Sequence, residues 1–382
     1  MVTRGQGERA LVMATSGHKK GKPDWLLLGA VLLLLSIGII MVYSASQYSA
    51  SYEPYNDTYY FLKKQLVNAL VGAVALIFAY KIDFRAYKKF SYPLFVCLIG
   101  VLGFMVISTQ IGVVGGAQRW LEVGQRSIQP SEFAKVILPM TMAKWISDHR
   151  DEVRSFQMGF LPCIGMTCLV CGLIFGQTDL SSAMVVGGTG FVVMFCAGIR
   201  PKYLLGTIGA GVAACTLAII LEPYRLERVY AWFNPWAYEM DEGYQTVQSL
   251  MALGSGGLTG VGLGSGGSKW FYLPERHTDF IFSVLGEEMG FLGAVLVVLL
   301  IFFIIWRGMR IAVKIRNLYA SLLAMGVISS LALQSLLNLG VVTGLLPVTG
   351  VTLPFVSYGG TSLLVSMGMI GILLNISRFV DG

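Results

Sequence analysis

Two stretches without a single charged residue constrain this chain more than anything else in it. Residues 25–52 and 317–377 contain no Asp, Glu, Lys, Arg or His. Uncharged apolar runs of this length satisfy their backbone as helices in lipid, because a bilayer offers no water to unpaired N–H and C=O groups. The rest of the sequence repeats the pattern with shorter runs. Segments near 65–80, 92–109, 130–146, 156–176, 181–198, 203–221 and 280–305 are apolar, and 317–377 is long enough for two spans with a loop between. The expectation is an all-α polytopic membrane protein of about ten transmembrane helices, with a large extracellular loop, residues 222–278, between helices seven and eight. Composition agrees: 55% of the residues are hydrophobic and only 13% charged, which excludes an ordinary soluble domain. The net charge of +7 is distributed as membrane topology rather than as a nucleic-acid surface.

With residues 1–24 taken as a disordered, basic cytoplasmic tail and Trp25 onward as a retained first span, 19 of the 28 Lys and Arg fall on the inner side. That excess places both termini in the cytoplasm, residues 379–382 included, and residues 222–278 outside. The six cysteines all fall in apolar runs and read as packing. The three histidines are scattered, and no dedicated metal site is legible.

Chemistry concentrates on the outer side. Lys269 to Gly290 reads KWFYLPERHTDFIFSVLGEEMG, a charged segment that runs into an apolar helix. Asp279 stands at that entrance, beside Arg276 and His277, and is either a helix N-cap or a reacting carboxylate. Glu287 and Glu288 follow, Glu287 roughly 12 Å deeper along a helix. Carboxylates at such depth are costly and mark function by default. Arg119 and Trp120 precede a helix opened by Pro130, where Arg119 could hold a phosphate and Trp120 an interfacial position. Glu132 and Lys135 lie three apart on that helix, as an ion pair or as a charged cavity wall. Asp179 sits in the turn of GQTDLSSA, as a cap or a site residue. Arg225 and Arg228 are spaced by three in the outer loop, and Gln245 follows in DEGYQTVQS. GSGGLTGVGLGSGG at 254–267 carries eight glycines in fourteen residues, a stretch able to approach a ligand closely and offer N–H groups to an anion. LLPVTGVTLPFVSYGGTS at 345–362, with Ser357, is too rich in Pro and Gly for a regular helix, and lines a cavity if it sits at membrane depth. Gln334 and Asn338 lie nearby in the preceding span.

The cations suit a phosphate or diphosphate ligand, and a lipid-linked one fits the membrane interface. QRW, QPSEFAK, LPERHTDFIFSVLGEEMG and LLPVTGVTLPFVSYGGTS together resemble the SEDS family (shape, elongation, division, sporulation) of bacterial cell-wall polymerases. FNPW at 233–236, GYQ at 243–245 and VYSAS at 42–46 resemble its FtsW and SpoVE branch more than RodA. Thr361 stands where the last motif usually has serine, and Asn234 where aspartate is frequent.

The resemblance covers about residues 25–378. It implies a plasma-membrane enzyme that polymerises lipid II into glycan strands for division or sporulation septa. It also implies a class B penicillin-binding protein as partner, among division or sporulation septum proteins, and an essential aspartate at the position of Asp279. In the mechanism this suggests, Asp279 is the base. Lys269, Arg276, Arg225 and Arg228 hold the leaving diphosphate, with a divalent cation such as Mg or Mn as a further candidate. Small residues Ala320, Ser321, Ala324 and Gly326 offer a surface for the partner's helix. The rival readings are a flippase of the same lipid and an ion-coupled transporter using Glu287 and Glu288.

Overall fold

The computed structural model describes residues 21–380 except 54, 108–118, 124–125, 222 and 268–273. The tail at 1–20, the last two residues and Lys269 therefore lie outside the described residues. The helices are α1 (Trp25–Ala50), α2 (Tyr60–Lys81), α3 (Phe84–Ile107), α4 (Pro130–Asp148), α5 (Leu161–Phe175), α6 (Leu180–Cys196), α7 (Pro201–Ile220), α8 (Pro223–Phe233), α9 (Tyr244–Ser255), α10 (Ile281–Lys314), α11 (Leu318–Val342) and α12 (Gly360–Ser377). A π turn, Phe156–Phe160, leads into α5. Each apolar run of the sequence is thus a helix. Eight helices are long and apolar enough to cross a membrane, while α6 is shorter and α4 carries Glu132, Lys135, Lys144 and Asp148.

The segment expected as the large outer loop is not structureless where it is described. It folds into α8, a 3₁₀ turn at Pro235–Tyr238, and α9. A two-stranded antiparallel hairpin, β1 (Leu121–Val123) with β2 (Arg126–Ile128), precedes α4. Three-residue strands are too short to show an alternation in the sequence.

Burial sorts the bundle. The most apolar stretch of α12 is 78% buried and that of α11 67%, against 6% for α7. So α11 and α12 are the centre, and α7 is an edge helix buried only at Leu204. α12 packs chiefly on α2, and α11 on α4, α6 and α10. This corrects the partner surface expected from small residues. Ala320 and Ala324 are fully buried, and a Cβ on Gly326 would stand 2.2 Å from Pro139. Gly326 lets α4 approach α11 inside the chain.

The glycine-rich loop also has a different role from the one expected. α10 breaks at Gly290, where φ is +68°, and the loop repairs the break. Val261 and Gly262 donate N–H bonds to the carbonyls of Glu287 and Glu288, at 3.0 and 3.1 Å, and Phe291 N–H donates to Gly257 at 2.9 Å. Backbones meet so closely that a Cβ on Gly260 would lie 2.1 Å from the Glu288 carbonyl. The anion that this loop does meet is the protein's own: Gly267 N–H donates to Glu287 Oε1 at 2.6 Å. Glu288 accepts from Ser44 of α1 at 2.5 Å. Both carboxylates are built into the α1–α10–loop junction, which is the bland alternative to an ion-coupling site.

The described ends of the chain share one face. Gly21 N–H donates to the Arg378 carbonyl at 2.7 Å, and Asp24 pairs with Arg307 near the end of α10 at 2.8 Å. Asp279 stands at the other end of α10, on the opposite face.

Candidate functional site

Three segments converge where α10 begins: the turn 274–280, the irregular 343–359 connection and the starts of α4 and α6. α11 holds them together with two amide side chains one turn apart. Asn338 Nδ2 donates to the Asp279 carbonyl at 2.7 Å and to the Val351 carbonyl at 2.6 Å. Gln334 Nε2 donates to the Thr352 carbonyl at 3.0 Å, with Thr352 Oγ1 and Ser362 Oγ at 3.2 and 3.3 Å, while its Oε1 accepts from Lys135 Nζ at 2.9 Å. Polar groups inside an apolar bundle are expensive unless paired. Here they are the fasteners that fix irregular backbone at the site. Tyr358 N–H adds a bond to the His277 carbonyl at 2.9 Å.

Asp279 is not the N-cap of α10. Phe280 occupies that position, without a side-chain cap bond. Among the described residues the Asp279 carboxylate accepts no hydrogen bond, and a Cβ built on Gly350, at φ +73°, would stand 3.5 Å from its Oδ2. The side chain keeps a small exposed edge but protein surrounds the rest of it. Burial pushes its carboxyl up from 3.8 to about 7, Glu275 adds to the rise, Arg119 opposes it, and Asp179 adds again. Of the surrounding charges only Arg119 favours the ionised form. Desolvation outweighs it.

Arg119, Asp179 and Asp279 are thus brought together from positions as far apart as 160 residues. Arg119 Nε is buried and makes no hydrogen bond, so it is available to a ligand oxygen. Trp120, next to it, is half-buried. Asp179 is a cap as well as a neighbour. It accepts from Ser182 N–H at 3.0 Å and from Gln129 Nε2 at 3.0 Å. Arg276 is buried, which disfavours its charged form. His277 packs between Phe61 at 4.6 Å and Tyr358 at 5.6 Å, and burial lowers its affinity for a proton.

Glu132 and Lys135 form an ion pair of 2.6 Å with side chains 7% and 2% exposed. Through Gln334 this pair connects to the site from below. Ser357 Oγ accepts from Leu353 N–H at 2.8 Å, which makes it a turn-forming contact. Arg225 is committed elsewhere, donating to the Ala218 carbonyl at 3.0 Å over the Phe175 ring. Arg228 pairs with Glu242 at 3.1 Å. Together with Gln245, Pro274 and Val348, these two residues line a cavity of about 300 Å³, which shares the 274–280 turn and the 343–359 connection with Asp279.

Sequence reasoning passed over Gln129 and Ser181. Ser181 donates to the Thr349 carbonyl, tying α6 to the connection. No local signal marks either residue, since each acts on a partner over 49 positions away. Backbone geometry gives a further signal. Four non-glycine residues have positive φ, and three of them, Thr178, Glu275 and Phe355, flank the site. Such strain gathers where function fixes the backbone. Among the described residues, no group of three or more His, Cys, Asp or Glu could hold a metal ion.

A carboxylate beside an arginine whose Nε has no hydrogen-bond partner among the described residues, at the end of a long apolar helix, suits transfer chemistry on an anionic substrate. Relatives of the chain include proteins named for glycosyl transfer. Stage V sporulation protein E of Bacillus subtilis (strain 168) is 43% identical over 362 residues, covering 94% of this chain and 98% of that protein. The probable peptidoglycan glycosyltransferase FtsW of Geobacter metallireducens is 38% identical, over 94% of this chain and 96% of its own length. Among solved structures, a chain from a peptidoglycan synthase complex that coordinates polymerization and crosslinking superposes with a TM-score of 0.79 at 29% identity, covering 94% of this chain and 99% of that one. The rod shape determining protein RodA of Thermus thermophilus superposes at 0.68 with 27% identity, covering 94% and 98%. Residues 24–382 match the cell cycle protein family of FtsW, RodA and SpoVE end to end, and the chain belongs to that family.

Proposed function

We propose that this chain is a peptidoglycan glycosyltransferase that polymerises lipid II at the outer face of the bacterial plasma membrane, with Asp279 as general base. The observation that carries the assignment is the Asp279 carboxylate itself. It caps no helix, accepts no hydrogen bond among the described residues and titrates near 7. A base works best with its pKa near the operating pH.

In this mechanism a sugar hydroxyl of one substrate attacks the anomeric carbon of the other. The bond from that carbon to the diphosphate oxygen breaks, and the configuration inverts. Asp279 takes the proton of the hydroxyl, and the electron pair leaves on the diphosphate. Arg119, with its unpartnered Nε, and Arg276, on the same turn as the base, are placed to offset that charge. Arg225 is tied to the Ala218 carbonyl, and Arg228 to Glu242 and the Val348 carbonyl, so neither is as free to meet the diphosphate as Arg119. A class B penicillin-binding protein is the partner that would crosslink the product.

The test is strand synthesis by the purified protein from lipid II, with and without such a partner, followed across pH. A base must be ionised, so the rate rises as pH passes through about 7 and levels off above it. One unit below that value about a tenth of the carboxyl is ionised, so pH 6 gives about a tenfold lower rate than the plateau. A profile flat from pH 5.5 to 8.5 would remove Asp279 from the base role.

Orientation is part of the same proposal: both termini cytoplasmic and the α8–α9 region outside. Glu239 is exposed in that region. Cysteine placed there reacts with an impermeant thiol reagent in intact cells. Labelling that needs lysed cells would invert the topology and move the site to the cytoplasm.

A further inference from the structure

On the face opposite Asp279, a cavity of about 450 Å³ opens between the starts of α3 and α11 and the end of α4. Five cations line it: Arg85, Lys88, Lys89, Lys144 and Arg150. One carboxylate, Asp148, accounts for two of them, meeting Lys88 at 2.6 Å and Lys144 at 3.0 Å. Lys88 and Lys144 also lie over the rings of Tyr319 and Tyr92, at 6.0 and 4.8 Å, and are held in place. Arg85, Lys89 and Arg150 form no ion pair among the described residues, and no carboxylate lines the cavity. The excess of basic residues on one membrane face explains scattered loop charges. It does not explain three unpaired cations turned on one concavity. The N-termini of α3 and α11 are capped by Asp83 and Asn317, so the side-chain cations carry the attraction for an anion.

The surroundings indicate what kind of anion fits. Lys89 is followed on α3 by Phe90, 54% exposed, and Leu94, 41% exposed. Leu94 lies about 7.5 Å deeper along the helix. A ligand with a charged head and an apolar tail meets cations at the cavity and exposed apolar surface one turn below it. We infer that this cavity binds the phosphate headgroup of an anionic phospholipid from the leaflet on the face opposite Asp279. Basic pockets between membrane helices hold such headgroups through charge and paired N–H donors.

The experiment counts lipids retained by the purified full-length protein in native mass spectrometry. Phosphatidylglycerol, phosphatidylcholine and inorganic phosphate are the three probes. Wild type is expected to retain phosphatidylglycerol in clear preference to phosphatidylcholine, with inorganic phosphate at millimolar concentration unable to displace it. The variant Arg85→Gln, Lys89→Gln, Arg150→Gln is expected to bind about a hundredfold more weakly, since each cation near the surface contributes about a factor of five. Its melting temperature should match wild type, because none of the three is in an ion pair. Lys81→Gln with Lys314→Gln removes charge on the same face outside the cavity and should leave retention intact. Equal retention of the two lipids by wild type, undiminished retention by the triple variant, or an equal loss in the control variant would each overturn the site. Displacement by inorganic phosphate would make it a soluble-anion site and overturn the lipid assignment.

Discussion

Asp279→Asn yields a protein that folds, reaches the membrane, binds lipid II and makes no strands. A general base typically contributes 10²–10⁴-fold in rate, so the loss is near-complete in an ordinary strand assay. The variant separates chemistry from structure cleanly because the carboxylate has no structural partner to lose. Phe280, not Asp279, is the N-cap, and the clamp from Asn338 reaches the Asp279 backbone carbonyl, which asparagine keeps. Stability moves the other way. The carboxyl titrates near 7 in the fold against 3.8 ordinarily, so the folded state binds its proton more tightly. Stability therefore falls as pH rises from about 4 to about 7 and is flat above. Asparagine carries no charge to desolvate, and the variant should melt at or above the wild-type temperature at pH 8. Substantial strand synthesis by this well-folded variant would end the assignment and direct attention to Glu132 and Asp179.

Lys135→Met has the second-largest expected effect, on the fold rather than on the rate. It leaves Glu132 buried, 5% exposed, without its 2.6 Å partner, and it takes the donor from Gln334 Oε1. Removing one member of a buried pair costs about 3–5 kcal/mol, because the remaining charge stays desolvated. Thermal unfolding of the purified protein reads this as a large drop in melting temperature. The double variant Glu132→Gln, Lys135→Met removes both charges and should recover most of it. If the single variant melts like wild type, the pair is no fastener. If the double variant is stable but inactive, Glu132 or Lys135 acts on the substrate as well as on the fold.

Asp279 and the Glu132–Lys135 pair show where sequence reading reaches its limit. Ion pairing of Glu132 with Lys135 follows from a spacing of three on one helix. Their connection through Gln334 to Thr352 and Ser362 crosses three elements and leaves no local trace. Asp279 offered two readings, cap or base, and only the observed start of α10 at Phe280–Ile281 separates them. The glycine-rich loop was open in the same way. Its composition permits close approach to any backbone or anion, and the tertiary structure supplies the break at Gly290 that it fills. Ala320, Ala324 and Gly326 permit a close helix contact, and the packing makes α4 and α6, not another protein, the neighbours.

What the sequence determined by itself was the membrane class, the position of every long helix, the family motifs and the charged candidates for the site. Each of these rests on local physics: transfer of apolar runs into lipid, the conformational limits of Pro and Gly, and the charge of single side chains. The tertiary structure alone decided which charges meet. Arg119, Asp179 and Asp279 converge because α11 sits at the centre and fixes the irregular connection with Gln334 and Asn338. It also decided the protonation behaviour of Asp279. A pKa depends on how much water a carboxylate has lost and which charges surround it, and both are properties of packing that no neighbouring residue in the chain encodes.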